Sequence, residues 1–253
     1  MAHVTRRFFL LSSAALSVGC AIRTPNGAAA APARTVRQPL VGQSWRYAKH
    51  DIFTKTILDE QVDRVAAVDH TVDIDSSYQE AASTAKPKWG TKLLQKYTGH
   101  KDSTTGSLPS EIQDPWGTVA VDPHWSQVQV YETPIPLWPT QLTPGWQYHV
   151  NTNYKTPADE VALPWDQTMK ALAWENIRVP AGQFMALRFT NIIKFKHSDF
   201  LRTDSTRQET IWFAPEVGRW VARESQGTYY LADSTIMQPY NESGFRWELL
   251  EWS

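Results

Sequence analysis

The sequence predicts an all-β fold with minor helix, an antiparallel meander curved into a half-barrel or barrel-like sheet. Three observations predict it. Apolar and polar residues alternate with period two in segment after segment, as they do in strands buried on one face. Turn-forming clusters separate those segments. Aromatic residues are dense, with 12 Trp, 9 Tyr and 9 Phe among 253 residues, and broad rings favour a pleated surface.

Taken in order, the chain opens with an export signal. Thr5-Arg6-Arg7-Phe8-Phe9-Leu10 is followed by an uncharged run to Gly19. That run is too short to span a bilayer, which needs about 20 apolar residues. Arg6 and Arg7 in this setting are similar to a twin-arginine signal. The segment Leu16-Ser17-Val18-Gly19-Cys20 resembles a lipobox, in which the cysteine is acylated and becomes the mature N-terminus. Cys20 is the only cysteine, so disulfides and cysteine-held metals are excluded from the rest of the chain. The competing cut lies in Ala28-Ala29-Ala30-Ala31, which would release a soluble periplasmic protein. The expected organisation is residues 1–19 as signal peptide, 20–40 as a disordered Ala/Pro tether and 41–253 as a single β-rich domain. The expected location is a lipid-anchored site facing the periplasm, at the outer membrane.

Strands are expected at Trp45-Arg46-Tyr47 and Val128-Gln129-Val130, over residues 146–154 and 210–213, and from Phe245 to Leu249. The clearest covers residues 183–196, where Met185, Leu187, Phe189, Ile193 and Phe195 share one face and Arg188, Thr190, Lys194 and Lys196 the other. Residues 78–86 and 91–97 read as short helical pieces, and 98–115 as an exposed loop. Turns are expected at Pro144-Gly145, Pro180-Ala181-Gly182, Pro215 to Gly218 and Ser243-Gly244. The sum is eight to eleven strands in one domain.

Charge excludes one class of partner. The formal net charge is −1, and removing residues 1–19 takes away two arginines and no acid, leaving −3. No basic footprint for nucleic acid exists in that balance. Catalytic signatures are missing too. His50, His70, His100, His124, His149 and His197 stand apart, without the close spacing of zinc ligands. Asp69-His70 would point to opposite faces of a strand, and Asp122 with His124 lacks a serine or cysteine nucleophile. The expectation is therefore no enzyme, no metal and no cofactor. Arg219, Arg223 and Glu224 read as solvated or cross-strand charges worth at most about 1 kcal/mol.

Three passages carry a resemblance. They are Thr133-Pro134-Ile135-Pro136-Leu137-Trp138-Pro139 with Leu142-Thr143-Pro144-Gly145, Val179-Pro180-Ala181-Gly182-Gln183-Phe184, and the run from Trp212 to Glu224. Together they resemble uncharacterised proteobacterial envelope lipoproteins with a β-rich fold like that of the lipoprotein carriers LolA and LolB. The resemblance implies an incomplete barrel wrapped around helical plugs and holding acyl chains. On that basis an apolar face of Trp45, Tyr47, Leu187, Phe189 and Trp247 is expected to line a lipid-sized cavity. Two functions stay open: a non-catalytic envelope lipoprotein taking an apolar or amphipathic, lipid-like ligand or a partner protein, and a periplasmic enzyme acting on cell-wall or exported glycan through paired carboxylates.

Overall fold

The computed structural model describes residues 36–69, 90–97, 110–123, 128–156, 161–198, 201–232 and 238–253. Arg6, Arg7, Cys20, residues 78–86, His70, His100 and His124 lie outside them. The described residues form 13 strands and no helix. They are β1 (Ser44–Asp51), β2 (Ile57–Asp69), β3 (Gly90–Tyr97), β4 (Ser110–Gln113), β5 (Thr118–Asp122), β6 (Gln129–Pro136) and β7 (Gln147–Lys155). The second half holds β8 (Leu163–Val179), β9 (Gly182–Lys196), β10 (Arg202–Ala214), β11 (Arg219–Leu231), β12 (Tyr240–Asn241) and β13 (Phe245–Trp252).

All pairings are antiparallel, and from β1 to β11 each strand pairs with its successor. β13 then bridges β11 and β1, so the ladder runs round a barrel-like circuit. One seam is narrow. β6 meets β7 only at Val130↔Lys155 and Tyr131↔Tyr154. The cause is visible in β6 itself: Pro134 and Pro136 have no N–H to donate, and prolines mark places where a strand leaves a ladder.

The expected turns sit between the strands named for them. Gly145 (φ 90°) opens β7, Gly182 (φ 142°) closes the β8–β9 hairpin and Gly218 (φ 73°) the β10–β11 hairpin. Two local expectations are corrected. Residues 91–97 are not helical; they pair with β2 from Asp69↔Gly90 to Gln61↔Tyr97. The helix-friendly Lys, Leu and Gln of this segment yield to the tertiary ladder, which outweighs a propensity of tenths of a kcal/mol per residue. Residues 110–113, expected in a loop, form β4 between β3 and β5.

Alternation selects the inside of the barrel. On β9 the odd-numbered residues from Leu187 to Phe195 are buried, whereas Ile192, Lys194 and Lys196 are exposed. A large cluster built from Trp45, Tyr47, Met169, Leu187, Phe189, Phe213, Trp220 and Leu249 fills one end. A second cluster, around Trp165, Tyr131, Tyr154, Ile193 and Phe195, fills the other side. Gly117 shows how tightly the first is closed: a Cβ there would fall within the Trp138 ring, so glycine is required.

The described body starts before the expected boundary. Residues 36–40 read as the end of the tether, yet Val36 packs against the main cluster and the Arg37 N–H donates to the Pro215 carbonyl at 2.9 Å. The Arg37 guanidinium lies 4.8 Å from the centre of the Trp252 ring.

Candidate functional site

Between the apolar clusters the barrel carries inward-facing polar residues. Their positions follow from register. Asn191 on β9 stands opposite Glu209 on β10, and Ile211, the next inward residue, stands opposite Arg223 on β11. Tyr47 on β1 stands opposite Gln61, and Trp45 opposite Asp63, on β2. The period-two rule that fills the core therefore also drives these polar groups inside.

Two arginines hold them. Arg219 is 1% exposed. Its Nη2 donates to Asp63 Oδ2 at 2.9 Å and Glu111 Oε2 at 3.1 Å, and its Nη1 to Glu111 Oε1 at 3.1 Å. Gln61 Nε2 donates to the other Asp63 oxygen at 2.8 Å. Burial disfavours the guanidinium's charge, but Glu111 and Asp63 outweigh it and hold the group's pKa above its ordinary value. Arg223 donates from Nε and Nη2 to Glu209 Oε1, at 3.1 and 2.6 Å. Burial again opposes the charge, and Glu209 followed by Asp122 reverses the balance. Asn191 Nδ2 donates to Glu209 Oε2 at 3.2 Å.

Neighbouring phenols are neutral structural groups. Tyr47 stacks on Trp220 with ring centres 3.8 Å apart and donates its hydroxyl to the Trp220 carbonyl at 3.0 Å. Burial pushes its pKa well up. Tyr131 is pushed the same way, by burial first and then by Asp122 and Glu209.

A cavity of about 20 Å³ lies among these groups, with Asp122, Gln167, Asn191, Glu209 and Arg223 on its polar side and Tyr131, Trp165 and Trp220 among its walls. That volume suits a water molecule, not an acyl chain. Asn191 Oδ1 is buried without a hydrogen-bond partner. The amide cannot turn to relieve this, because Glu209 requires the Nδ2 donor on its side. The arrangement is thus an internal polar brace with one unfilled acceptor at a water-sized cavity.

The structure brings Trp45, Tyr47, Leu187, Phe189 and Trp247 together, each buried in the main cluster. None of the five lines the cavity. Leu187 and Phe189 are 0% exposed. Leu187→Trp should therefore cost about 1–3 kcal/mol by overpacking, read as a lower denaturant midpoint; an unchanged midpoint would reveal spare volume there.

Arg219 and Arg223 correct the solvated reading of these charges, since both are interior: Arg219 meets acids on the distant strands β2 and β4, whereas Arg223 keeps a cross-strand partner, Glu209 on the neighbouring β10. Glu224 has a half-buried cross-strand role as well, accepting from Arg246. The sequence held one signal for the brace. Asn191 interrupts the apolar face of β9 between Phe189 and Ile193, and a polar residue at an inward position needs a partner. The histidines stay apart: His149 meets Asp166 at 2.8 Å on the exposed side of β7, and His50 lies 3.7 Å from Glu248. Among the described residues, no group of three or more His, Cys, Asp or Glu is placed to hold a metal ion.

No protein-family model and no curated protein matches the chain. Two solved structures are similar in fold. One carries the name putative lipoprotein, from Parabacteroides distasonis, at 14% identity and a TM-score of 0.44, covering 87% of this chain and 99% of that one. The other carries the name putative exported protein with YmcC-like fold, from Bacteroides fragilis, at 11% identity and a TM-score of 0.39, with the same coverage.

Proposed function

We propose that this chain is an exported, lipid-anchored envelope protein whose barrel-like body is a non-catalytic docking module. The anchoring half rests on Arg6-Arg7, the short apolar run and Gly19-Cys20. The non-catalytic half rests on how the interior carboxylates are used. A glycan hydrolase needs two carboxyl groups free to exchange protons with substrate and water. Glu209 has both oxygens engaged, Oε1 by Arg223 and Oε2 by Asn191, and Asp63 and Glu111 are bound to Arg219. These are braces. Among the described residues, a core packed around a water-sized cavity also favours a partner held on the outside over a lipid-like ligand carried within.

Anchoring is tested on the full chain expressed in a bacterium with intact export. The expected N-terminus by mass analysis is an acylated Cys20, and Cys20→Ala should release nearly all of the protein from the membrane fraction. Two or more acyl chains hold stably where one is marginal, so the loss should be close to complete. An unmodified chain beginning near Ala31 would overturn the anchor. Replacing Arg6 and Arg7 together by Lys should stop export, and unchanged export would assign the general secretory route. Saturable binding of a fluorescent fatty acid by the soluble body would replace docking with carriage.

A further inference from the structure

The narrow β6–β7 seam leaves a strand edge open. β7 pairs with β8 along its length, from Gln147↔Lys170 to Tyr154↔Leu163. On its other side it meets β6 only at Tyr154 and Lys155. Below that, the Thr133 N–H turns to the Thr152 side-chain oxygen at 3.0 Å in place of a backbone carbonyl, and Asn153 Nδ2 reaches Glu132 Oε2 at 2.7 Å. From there the strands part. Residues 147–151 therefore have a ladder on one side only among the described residues. Every second residue of such an edge presents an N–H and a C=O that want a backbone partner.

Folded proteins commonly blunt such an edge with lysine, proline or a bulge. Here the run is Gln147-Tyr148-His149-Val150-Asn151, with none of these, and its pairing with β8 is regular throughout. The protecting prolines lie across the seam instead, in β6, where they keep that strand from closing the gap.

We propose that residues 147–151 of β7 receive an extended segment of a partner protein as an added strand. The inference rests on the docking reading above and names the docking surface and the partner's form. Unpaired backbone groups in a row are met by another extended backbone, and strand addition is the established way to meet them. The side chains set the segment's pattern. Tyr148 and Val150 turn inward, and Gln147, His149 and Asn151 are exposed, so the segment is apolar at alternate positions and polar between. Charge sets its direction: Glu132 and Asp166 border the Asn151 end, and Lys170 stands opposite Gln147. A basic outward residue fits beside Asn151 and an acidic one beside Gln147.

The test uses the mature full chain and hydrogen exchange read at single amides. Without peptide, the outward-directed amides of residues 147–151 should exchange at least about tenfold faster than those bonded to β8. Uniformly slow exchange would overturn the proposal, showing the edge already covered by this chain or a second copy. The probes are synthetic nine-residue peptides alternating Thr with Val, Leu or Tyr, with Lys and Glu at the ends in either order. Saturable binding that slows those amides, and that is lost when the peptide is N-methylated on its edge-facing residues, is the expected result. Binding insensitive to methylation, or no saturable binding by any peptide, would sink the edge. Binding that leaves residues 147–151 unchanged would sink it too, while leaving a docking role intact elsewhere on the body.

Discussion

Arg219→Met will lower the free energy of unfolding by about 3–5 kcal/mol, the largest single loss expected from a charged residue in this chain. The reason is arithmetic of charge in a dry place. Arg219, Asp63 and Glu111 are each no more than 1% exposed, and the guanidinium supplies bonds to both carboxylates. Removing it leaves two buried acids facing each other without a counter-charge. Coulomb attraction that had offset their desolvation disappears, and repulsion replaces it. The three residues also come from β11, β2 and β4, so the loss falls on long-range closure of the barrel. The check is a urea midpoint for the single variant and for Arg219→Met combined with Asp63→Asn and Glu111→Gln. The triple variant should recover a large part of the loss, since it removes the stranded charges together with the arginine. A single variant within about 1 kcal/mol of the parent would show that the three groups are hydrated and that the brace contributes little.

Much of the fold could be read from the sequence because period-two alternation is a local code. Residues 183–196 predict β9 almost to its ends, and Pro180-Ala181-Gly182 and Pro215 to Gly218 predict the hairpins beside it. The passages that were missed are those whose local preferences point elsewhere. β8 contains Met169-Lys170-Ala171-Leu172-Ala173-Trp174-Glu175, a helix-friendly run, and becomes strand because β7 and β9 flank it for most of its length. β3 follows the same logic.

The candidate site was far less legible, for a different reason. Asn191, Glu209 and Arg223 meet across adjacent strands, but Arg219, Asp63 and Glu111 each sit alone in their own segment and become partners only when the sheet curves. Arg219 and Asp63 are 156 residues apart, and Arg219 and Glu111 are 108 apart. No local spacing announces such a pair. The open edge of β7 was hidden more deeply, since an edge is a property of the neighbour that fails to arrive. Pro134 and Pro136 stood in the sequence, but only the ladder shows what they leave unpaired.

The second large effect is expected at Trp165, the centre of the smaller apolar cluster. Trp165→Ala should destabilise the chain by about 3–5 kcal/mol, the range for deleting a buried indole. Its ring is 1% exposed and touches three other aromatics: Tyr131 at 5.2 Å, Tyr154 at 5.7 Å and Phe195 at 5.4 Å between ring centres. Those neighbours belong to β6, β7 and β9, so the indole joins both sides of the narrow seam to the wall behind it. Two bonded pairs at the top of β6–β7 are too few to hold the seam by backbone alone, and packing around Trp165 supplies the rest. Its Nε1 also donates to Gln167 Oε1 at 3.1 Å, and that buried oxygen would be stranded. Trp165→Phe separates the two contributions. It keeps a ring in the cluster and loses the donor, so its cost should be smaller, about 1–3 kcal/mol. If the alanine variant instead costs less than about 1 kcal/mol, or costs no more than the phenylalanine variant, the seam is held by something other than this cluster. Exchange rates would then locate it: in Trp165→Ala, the amides of Tyr131, Tyr154 and Lys155 should lose protection before those of β9 and β10, because the seam has only two paired positions where β9 and β10 have ten.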